Sequence, residues 1–141
     1  MDADGLNALA SCIDIMQKQK PNWILTPHPG EMARLSGTTT AAVQANRPQC
    51  AADFCKQFSG TLVLKGAGTI IQQGTTAIQN PTGNPGMGRG GSGDVLAGMI
   101  AAFAAQGLSP YDAACAGAYL HGLAGDFAAA RYSEQAMLPQ D

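Results

Sequence analysis

Residues 61–69 have the sequence Thr-Leu-Val-Leu-Lys-Gly-Ala-Gly-Thr, and this stretch decides the fold class. The apolar run from Thr61 to Leu64 predicts a short buried strand, and the glycines after Lys65 predict a turn. Ile70 to Gln73 and Thr75 to Gln79 follow at once and have the pattern of a β-hairpin. We therefore expect a buried strand, a glycine turn and a hairpin in succession.

Upstream of this stretch, predicted helices and strands alternate. Leu6 to Gln19 has apolar residues spaced by three and four, which predicts a helix. Trp23 to Thr26 is a second apolar, β-rich run, and the proline after it favours a strand that ends in a loop. Glu31 to Leu35 predicts a short helix, and Pro48 to Phe58 predicts another that begins at a proline. This alternation indicates an α/β protein with a mainly parallel sheet.

Downstream, a long loop separates the hairpin from two helices. Asn80 to Gly91 is rich in glycine and proline, and a long ordered loop of this kind is usually functional. One helix is predicted to begin at Ser92 and to end at Gly107. The last helix is predicted from Pro110 to about Ala130, and its many alanines and glycines predict close packing against a neighbouring helix.

The composition restricts the kinds of partner that the protein can have. A length of 141 residues is typical of one domain, and charged residues make up 13% against roughly 25% in an average protein. The formal net charge of -2 leaves no positive surplus for a nucleic-acid backbone. The longest apolar stretch, Val95 to Ala105, is far short of the roughly 18 residues that span a bilayer. We expect neither a nucleic-acid nor a membrane partner.

The N-terminus and the cysteines favour a cytoplasmic protein. Met1 to Asp4 has neither the positive region nor the apolar core of a signal peptide. The 4 cysteines form no Cys-x-x-Cys pair and are too sparse for a disulfide scaffold. We expect them to be reduced.

The strongest chemical motif is the segment Gly90-Gly91-Ser92-Gly93-Asp94 at the start of a predicted helix. Free amides and a partial positive charge at a helix start attract anions, and glycines let a phosphate approach the backbone closely. Asp94 could accept a proton from a substrate hydroxyl in the same turn. The alternative is a plain helix start capped by Ser92, with Asp94 merely favourable to the helix dipole.

Two other nucleotide-binding fingerprints do not apply. Gly86 to Gly91 matches the Gly-x-Gly-x-x-Gly pattern, but a proline-rich loop precedes it where the dinucleotide fingerprint needs a strand. The Gly-Lys-Ser/Thr of a phosphate-binding P-loop is absent from the sequence. The glycine-rich segment is therefore assigned to neither class.

Further candidate contacts follow the two predicted strands. The segment from Lys65 to Thr69 leaves the carboxyl end of a buried strand, where α/β proteins bind ligands, and Lys65 could contact a phosphate. The alternative is a simple hairpin turn with a solvated lysine. His28 lies between two prolines at the other strand end and is either a substrate contact or a structural residue. We expect His121 to be an ordinary residue of the last helix, packed or exposed.

Five motifs, taken in order, resemble the ADP/ATP-dependent NAD(P)H-hydrate dehydratases. The resemblance covers nearly the whole chain and implies a ribokinase-like, three-layer α/β/α fold. It also implies that a hydroxyl of hydrated NADH or NADPH is phosphorylated and that phosphate then leaves, which restores the reduced nucleotide. The motifs are Asp2-Ala3-Asp4-Gly5-Leu6-Asn7, Thr26-Pro27-His28-Pro29-Gly30-Glu31, Leu64-Lys65-Gly66-Ala67-Gly68-Thr69, Asn80-Pro81-Thr82-Gly83-Asn84-Pro85-Gly86-Met87 and Gly90-Gly91-Ser92-Gly93-Asp94.

The resemblance also implies roles for single residues. His28 and Asp94 match contacts to the hydrate, and Asp94 matches the catalytic base. Glu31 matches a glutamate that organises Mg²⁺ and water indirectly. The expected co-substrate is ADP or ATP, and the predicted nucleotide-binding residues are Lys65, Gly66, Ala67, Gly68, Thr69, Gly91, Ser92 and Gly93.

Two departures from the family pattern stand out. Gly88-Arg89 replaces an alanine followed by threonine or serine, which places a long cation beside the phosphate loop. Family members also begin well over a hundred residues earlier. We therefore expect residues 1–141 to be the C-terminal part of one ribokinase-like domain that lacks its N-terminal half. We also expect its sheet edge to be unpaired or covered by another subunit, as in a homo-oligomer.

Three functions stay open at this stage. The first is dehydration of NAD(P)H hydrate, which His28 favours because related vitamin kinases tend to have asparagine there. The second is a small-molecule kinase of the same superfamily, which would use the same glycine turn and base. The third is an inactive nucleotide-binding fragment or interaction module. The choices between ADP and ATP, and between NADH and NADPH hydrates, also stay open.

Overall fold

The structure is a computed structural model that describes residues 1–12, 14–15 and 21–141. Along these ranges the helices and strands follow the predicted alternation. In chain order they are α1 (Ala3–Ala10), β1 (Ile24–Leu25), α2 (Pro29–Leu35), α3 (Thr40–Ala45), α4 (Arg47–Cys55), β2 (Thr61–Leu64), β3 (Ile70–Gln73), β4 (Thr76–Gln79), a 3-10 turn (Pro85–Met87), α5 (Ser92–Ala105) and α6 (Pro110–Tyr132).

The four strands form one sheet in the order β1-β2-β3-β4. β1 and β2 are parallel, with Ile24 opposite Thr61, whereas β2–β3 and β3–β4 are antiparallel. The expectation of a mainly parallel sheet is therefore wrong for the described strands. The segment between Leu64 and Ile70 is too short for the crossover that a parallel neighbour needs, so β3 turns back beside β2. The predicted hairpin of β3 and β4 is confirmed.

Helices cover both faces of the sheet because β2 alternates its side chains between them. Leu62 and Leu64 join an apolar cluster with residues of α1 to α4, including Met32 and Phe54, and with Phe58 after α4. Val63 points to the other face, into a second cluster with residues of α5 and α6. All three β2 side chains are fully buried. The three-layer α/β/α arrangement is confirmed.

The helix boundaries differ from the predicted ones where side chains cap a helix. α2 begins at Pro29 because the ring of His28 caps it. α3 was not predicted from the sequence, since it is one short turn with a single buried residue, Val43. α4 ends at Cys55 instead of Phe58.

The first predicted helix is only partly testable. α1 begins at Ala3 and ends at Ala10, and residues 11 and 12 form a turn, so a helix that continues unbroken from Leu6 is wrong. Its predicted end at Gln19 lies outside the described residues.

Residue 1 extends the sheet beyond β1. The amine of Met1 donates a 2.7 Å hydrogen bond to the carbonyl of Ile24, and the amide of Thr26 donates one of 3.1 Å to the carbonyl of Met1. These bonds bring Asp2 and α1 to the end of β1. Across the described ranges, no helix combines the length and apolarity needed to traverse a membrane.

Candidate nucleotide and substrate site

The candidate site forms where β1 and β2 end side by side. The amide of Lys65, just after β2, donates a 2.8 Å hydrogen bond to the carbonyl of Pro27, just after β1. This bond continues the parallel pairing beyond both strands. It places Lys65 beside the segment that carries His28 and Glu31.

The ammonium of Lys65 contacts two carboxylates. Its Nζ lies 2.7 Å from Oδ1 of Asp2 and 3.9 Å from Oε2 of Glu31. The Lys65 side chain is 19% exposed, that of Asp2 14% and that of Glu31 6%. Low exposure limits screening by water, so the two carboxylates stabilise the ammonium strongly. Lys65 is therefore a positioned group and not the solvated lysine of the simple-turn alternative.

His28 and Glu31 form a reciprocal cap at the start of α2. Nδ1 of His28 accepts hydrogen bonds from the amides of Gly30, at 3.0 Å, and Glu31, at 3.4 Å. The Glu31 carboxylate in turn accepts a 2.8 Å bond from the amide of His28. Because Nδ1 accepts, the neutral ring carries its proton on Nε2. The His28 side chain is 52% exposed, and its Nε2 lies 3.5 Å from Oε1 of Glu31.

The glycine turn before α5 leaves two amides free. The amide of Ser92 donates to the carbonyl of Arg89 at 3.3 Å, which closes a tight turn with Gly91 at a φ of 93°. That backbone angle favours glycine. Within the described part of the chain, the amides of Gly93 and Asp94 donate no hydrogen bond. These two amides are therefore the donors that an anion would meet.

Gly93 is the residue of the glycine turn that lies next to the side chain of Lys65. A Cβ atom at Gly93 would lie 3.3 Å from Nζ of Lys65 and 3.6 Å from Oδ2 of Asp2. The structure thus brings the glycine turn, Lys65 and Glu31 together. Ser92 does not cap α5, because Gly91 is the cap residue and Ser92 is already the first helical residue. That part of the alternative is wrong, whereas Asp94 lies in the first turn, as both interpretations predict.

Asp94 lies in the first turn of α5 and is exposed. Across residues 1–12, 14–15 and 21–141 it has no hydrogen-bond or ion-pair partner. A free carboxylate at this position can accept a proton from a ligand. Its contact with the hydrate remains a prediction.

The turn after Lys65 is held by a residue that the sequence did not single out. The guanidinium of Arg47 donates to the carbonyls of Lys65, at 3.5 Å, of Gly68, at 3.4 Å, and of Ala67. Gly66 has a φ of 147°, and a Cβ there would overlap the guanidinium. No local motif marks Arg47, because its partners lie about 20 positions away.

His121 was also expected to have no part in the site, yet it touches the glycine turn. Its Nε2 lies 3.4 Å from Oγ of Ser92, and burial lowers the pKa of the imidazole. Both residues line a cavity of about 80 Å³ between α5, α6 and the chain end. Arg89 lines the same cavity and donates a hydrogen bond to the carbonyl of Gln135.

The described residues do not form a metal site with all of its ligands from the protein. They contain no group of three or more His, Cys, Asp and Glu side chains arranged to hold an ion. Magnesium in phosphoryl-transfer sites needs only one or two carboxylates, because phosphates and water supply its other ligands. Asp2 and Glu31 fit that smaller requirement.

Comparison with known proteins decides the family. The profile of the Carb_kinase family, described as NAD(P)H-hydrate dehydratase, matches residues 1–141. The chain belongs to the NAD(P)H-hydrate dehydratase family. Among curated relatives, the bifunctional NAD(P)H-hydrate repair enzyme of Moorella thermoacetica is 52% identical over 143 residues, which are 100% of this chain and 27% of that enzyme. The ADP-dependent (S)-NAD(P)H-hydrate dehydratase of Neisseria meningitidis is 46% identical over 129 residues, 89% of this chain and 44% of that protein.

Solved structures of the NAD(P)H-hydrate dehydratase family agree with the fold. The ADP/ATP-dependent enzyme of Bacillus subtilis, crystallised with ATP and Mg²⁺, superposes with a TM-score of 0.83 at 31% identity. The alignment covers 98% of this chain and 48% of that one. A ribokinase-like superfamily protein of Enterococcus faecalis gives a TM-score of 0.78 at 33% identity, over 98% of this chain and 46% of that one. The ribokinase-like fold is therefore confirmed, and the chain spans about half the length of these solved relatives.

Proposed function

We propose that the protein acts in the ADP- or ATP-dependent dehydration of NAD(P)H hydrate to NADH or NADPH. The observation that carries this proposal is the position of Lys65 next to Gly93, where a Cβ atom added to the glycine would lie 3.3 Å from Nζ. It places an ammonium beside the two free amides of a helix start, which is a binding site for a phosphate. The names of the family relatives support the choice of the hydrate as substrate.

Each residue of the site would have its own role in the reaction. The amides of Gly93 and Asp94, together with Lys65, would hold the transferring phosphoryl group. The carboxylate of Asp94 would accept the proton of the hydrate hydroxyl as that oxygen attacks the terminal phosphorus and releases AMP from ADP, or ADP from ATP. Departure of the phosphate with loss of a proton from the neighbouring ring carbon would then form the double bond of the reduced nicotinamide ring. His28 would contact the hydrate through Nε2.

Asp2 and Glu31 would hold Mg²⁺ at the same place. The ion, when bound, would neutralise charge on the nucleotide phosphates. In its absence the ammonium of Lys65 lies 2.7 Å from the Asp2 carboxylate and 3.9 Å from that of Glu31. Its single positive charge offsets one of the two negative charges and so reduces the repulsion between them.

Further proposals concern the whole protein. Residues 1–141 would be the C-terminal part of one ribokinase-like domain. This proposal is supported by the alignments, which cover 48% and 46% of the two solved relatives. A cytoplasmic location agrees with four free cysteines. We also propose that the protein forms homo-oligomers.

The proposed function is tested by turnover. The purified chain is incubated with hydrated NADH, ADP and Mg²⁺, and the return of absorbance from reduced nicotinamide is followed. Recovery of that absorbance with release of phosphate is the expected result. Accumulation of a phosphorylated product without dehydration would instead indicate a small-molecule kinase. ADP binding without any turnover, even with the N-terminal half added, would indicate an inactive nucleotide-binding fragment.

The nucleotide site is tested separately by Gly93→Val. Its side chain would crowd Nζ of Lys65 and cover the free amides, so ADP binding measured by calorimetry should be abolished. Gly98→Val is the matched control, because Gly98 lies in the same helix and a Cβ there meets nothing within 4 Å. Unchanged ADP affinity in a folded Gly93→Val protein would exclude the glycine turn from nucleotide binding.

A further inference from the structure

In the turn from Lys65 to Thr69, the backbone carbonyls accept hydrogen bonds from the protein, whereas the backbone amides of residues 66–69 donate none to the described part of the chain. All four carbonyls from Lys65 to Gly68 are engaged inside the protein. Arg47 donates to those of Lys65, Ala67 and Gly68, and the hydroxyl of Thr69 donates to that of Gly66 at 3.1 Å. The carbonyl oxygens of the turn are therefore all occupied by donors of the protein itself.

The amides of the same turn are left free. No backbone hydrogen bond is donated by residues 66–69 to any part of the chain that the structure describes. Successive free amides in a turn form a concave site for anions. Carbonyl oxygens that faced the same space would repel a phosphate, and here they are held by a cation instead.

Arg47 also brings positive charge that no carboxylate cancels. Within the described ranges its guanidinium has only neutral carbonyls as partners, whereas Lys65 is paired with Asp2 and Glu31. A positive charge of this kind stabilises an anion next to the turn. Gly66 permits the arrangement, since any side chain there would displace the guanidinium.

We propose that Arg47 is a positioning residue that shapes the turn at 65–69 into a cradle for the phosphates of an adenine nucleotide. By binding three carbonyls of the turn, Arg47 holds these oxygens toward itself. The free amides of residues 66–69 are then left to face the ligand. This inference rests on the proposed function for the identity of its ligand. It adds a residue from α4, a helix to which no part of the site had been assigned.

The test compares ADP affinity in variants of the 141-residue chain by calorimetry. Arg47→Ala should weaken ADP binding roughly 10- to 100-fold, as expected when hydrogen bonds to a charged group are lost. Arg47→Lys should lose less affinity, because an ammonium keeps the charge but cannot bridge three carbonyls. Arg131→Ala is the control, since Arg131 lies over the ring of Tyr132 at the end of α6, and its ADP affinity should not change.

Chemical rescue distinguishes positioning from general stability. Ethylguanidinium added to Arg47→Ala should fill the vacated space and restore ADP affinity, with no effect on Arg131→Ala. Amide resonances of residues 66–69 in nucleotide-free protein should shift in Arg47→Ala and return with the additive.

Three results would overturn the inference. The first is an Arg47→Ala protein that binds ADP as tightly as the wild type. The second is a folded Arg47→Ala protein whose lost ADP affinity is not restored by ethylguanidinium. The third is an Arg47→Ala protein in which the amide resonances of residues 66–69 do not shift. A wild-type chain that binds no ADP would instead refute the nucleotide site of the proposed function and this inference with it.

Discussion

Lys65 connects three segments that are far apart in sequence. Its side chain contacts Asp2 and Glu31 directly. It also lies next to Gly93, where an added Cβ atom would be 3.3 Å from Nζ. Both carboxylates are largely buried, so each depends on the ammonium for compensation of its charge. Lys65 is thus a structural residue of the nucleotide-free protein as well as the candidate phosphate contact. Asp94 differs from this group, because it is exposed and free to act on a ligand.

Asp94→Asn should separate chemistry from binding. The amide keeps the shape of the side chain and removes the base, so turnover of NAD(P)H hydrate should fall by roughly 10² to 10⁴. ADP affinity should persist or increase, because a negative charge beside the phosphates is lost. Calorimetry and the absorbance assay measure the two effects. Weakened ADP binding at an unchanged rate would contradict the role of Asp94 as base.

His121 should make the stability of the protein depend on pH. Burial lowers its pKa below the ordinary histidine value of 6.5, so the unfolded chain binds a proton at a higher pH than the folded one. The free energy of unfolding should therefore fall as the pH decreases from 6.5 to the folded pKa, and be unaffected by this group above 6.5. Urea unfolding at several pH values measures the effect, and His121→Gln should show a smaller loss. Equal losses in both proteins would refute this role.

Candidate site residues that lie in local motifs could be chosen from the sequence. Lys65 follows a strand end and Gly93 begins a helix, positions that a linear sequence reveals, whereas Glu31 was chosen from the family resemblance. Arg47 and His121 reach the same site from α4 and α6, and their contacts depend on how helices pack. Such contacts leave no local signal, which is why the sequence analysis missed one and dismissed the other.

At the scale of elements, α5 and α6 pack closely because Gly117 of α6 lies against Ile100 of α5. A Cβ atom added at Gly117 would lie 2.5 Å from Cγ1 of Ile100 and 3.3 Å from its backbone. The sequence predicted this packing from the alanines and glycines of the last helix. It did not predict α3 or the direction of β3, because a single buried valine has no periodicity and strand direction depends on the length of the connection.

Gly117→Ala and Gly98→Ala should have opposite effects on stability. Overpacking against Ile100 should make Gly117→Ala less stable by about 1–3 kcal/mol. Gly98→Ala adds a methyl group in open space on α5, so its higher helix propensity should stabilise by up to about 1 kcal/mol. Urea unfolding of both variants checks the prediction. A neutral Gly117→Ala would show that the two helices can separate without cost.

At the scale of the whole molecule, the sheet has one well-exposed edge. All four residues of β4 are exposed, and Ile78 is 44% exposed. The opposite edge is partly covered, since Met1 pairs with the backbone of β1. An exposed strand with free backbone groups favours pairing with another chain.

The chain should therefore associate with itself through β4. Size-exclusion chromatography with light scattering should show a mass above that of one chain, increasing with concentration. Ile78→Lys should reduce this mass, because a charge on an edge strand opposes pairing. A monomer at high concentration would contradict the prediction. If Ile78→Lys associates as strongly as the wild type, β4 is not the strand through which the chains pair.

The two apolar clusters lie on opposite faces of the sheet, and β2 contributes to both. Either helical layer can consequently open while the sheet keeps the other layer in place. Such openings are separate cooperative units with free energies of their own. Native-state hydrogen exchange should show the amides of α5 and α6 exchanging as one group and those of α2 and α4 as another. The amides of β2 should exchange last, since their exposure requires both layers to be lost.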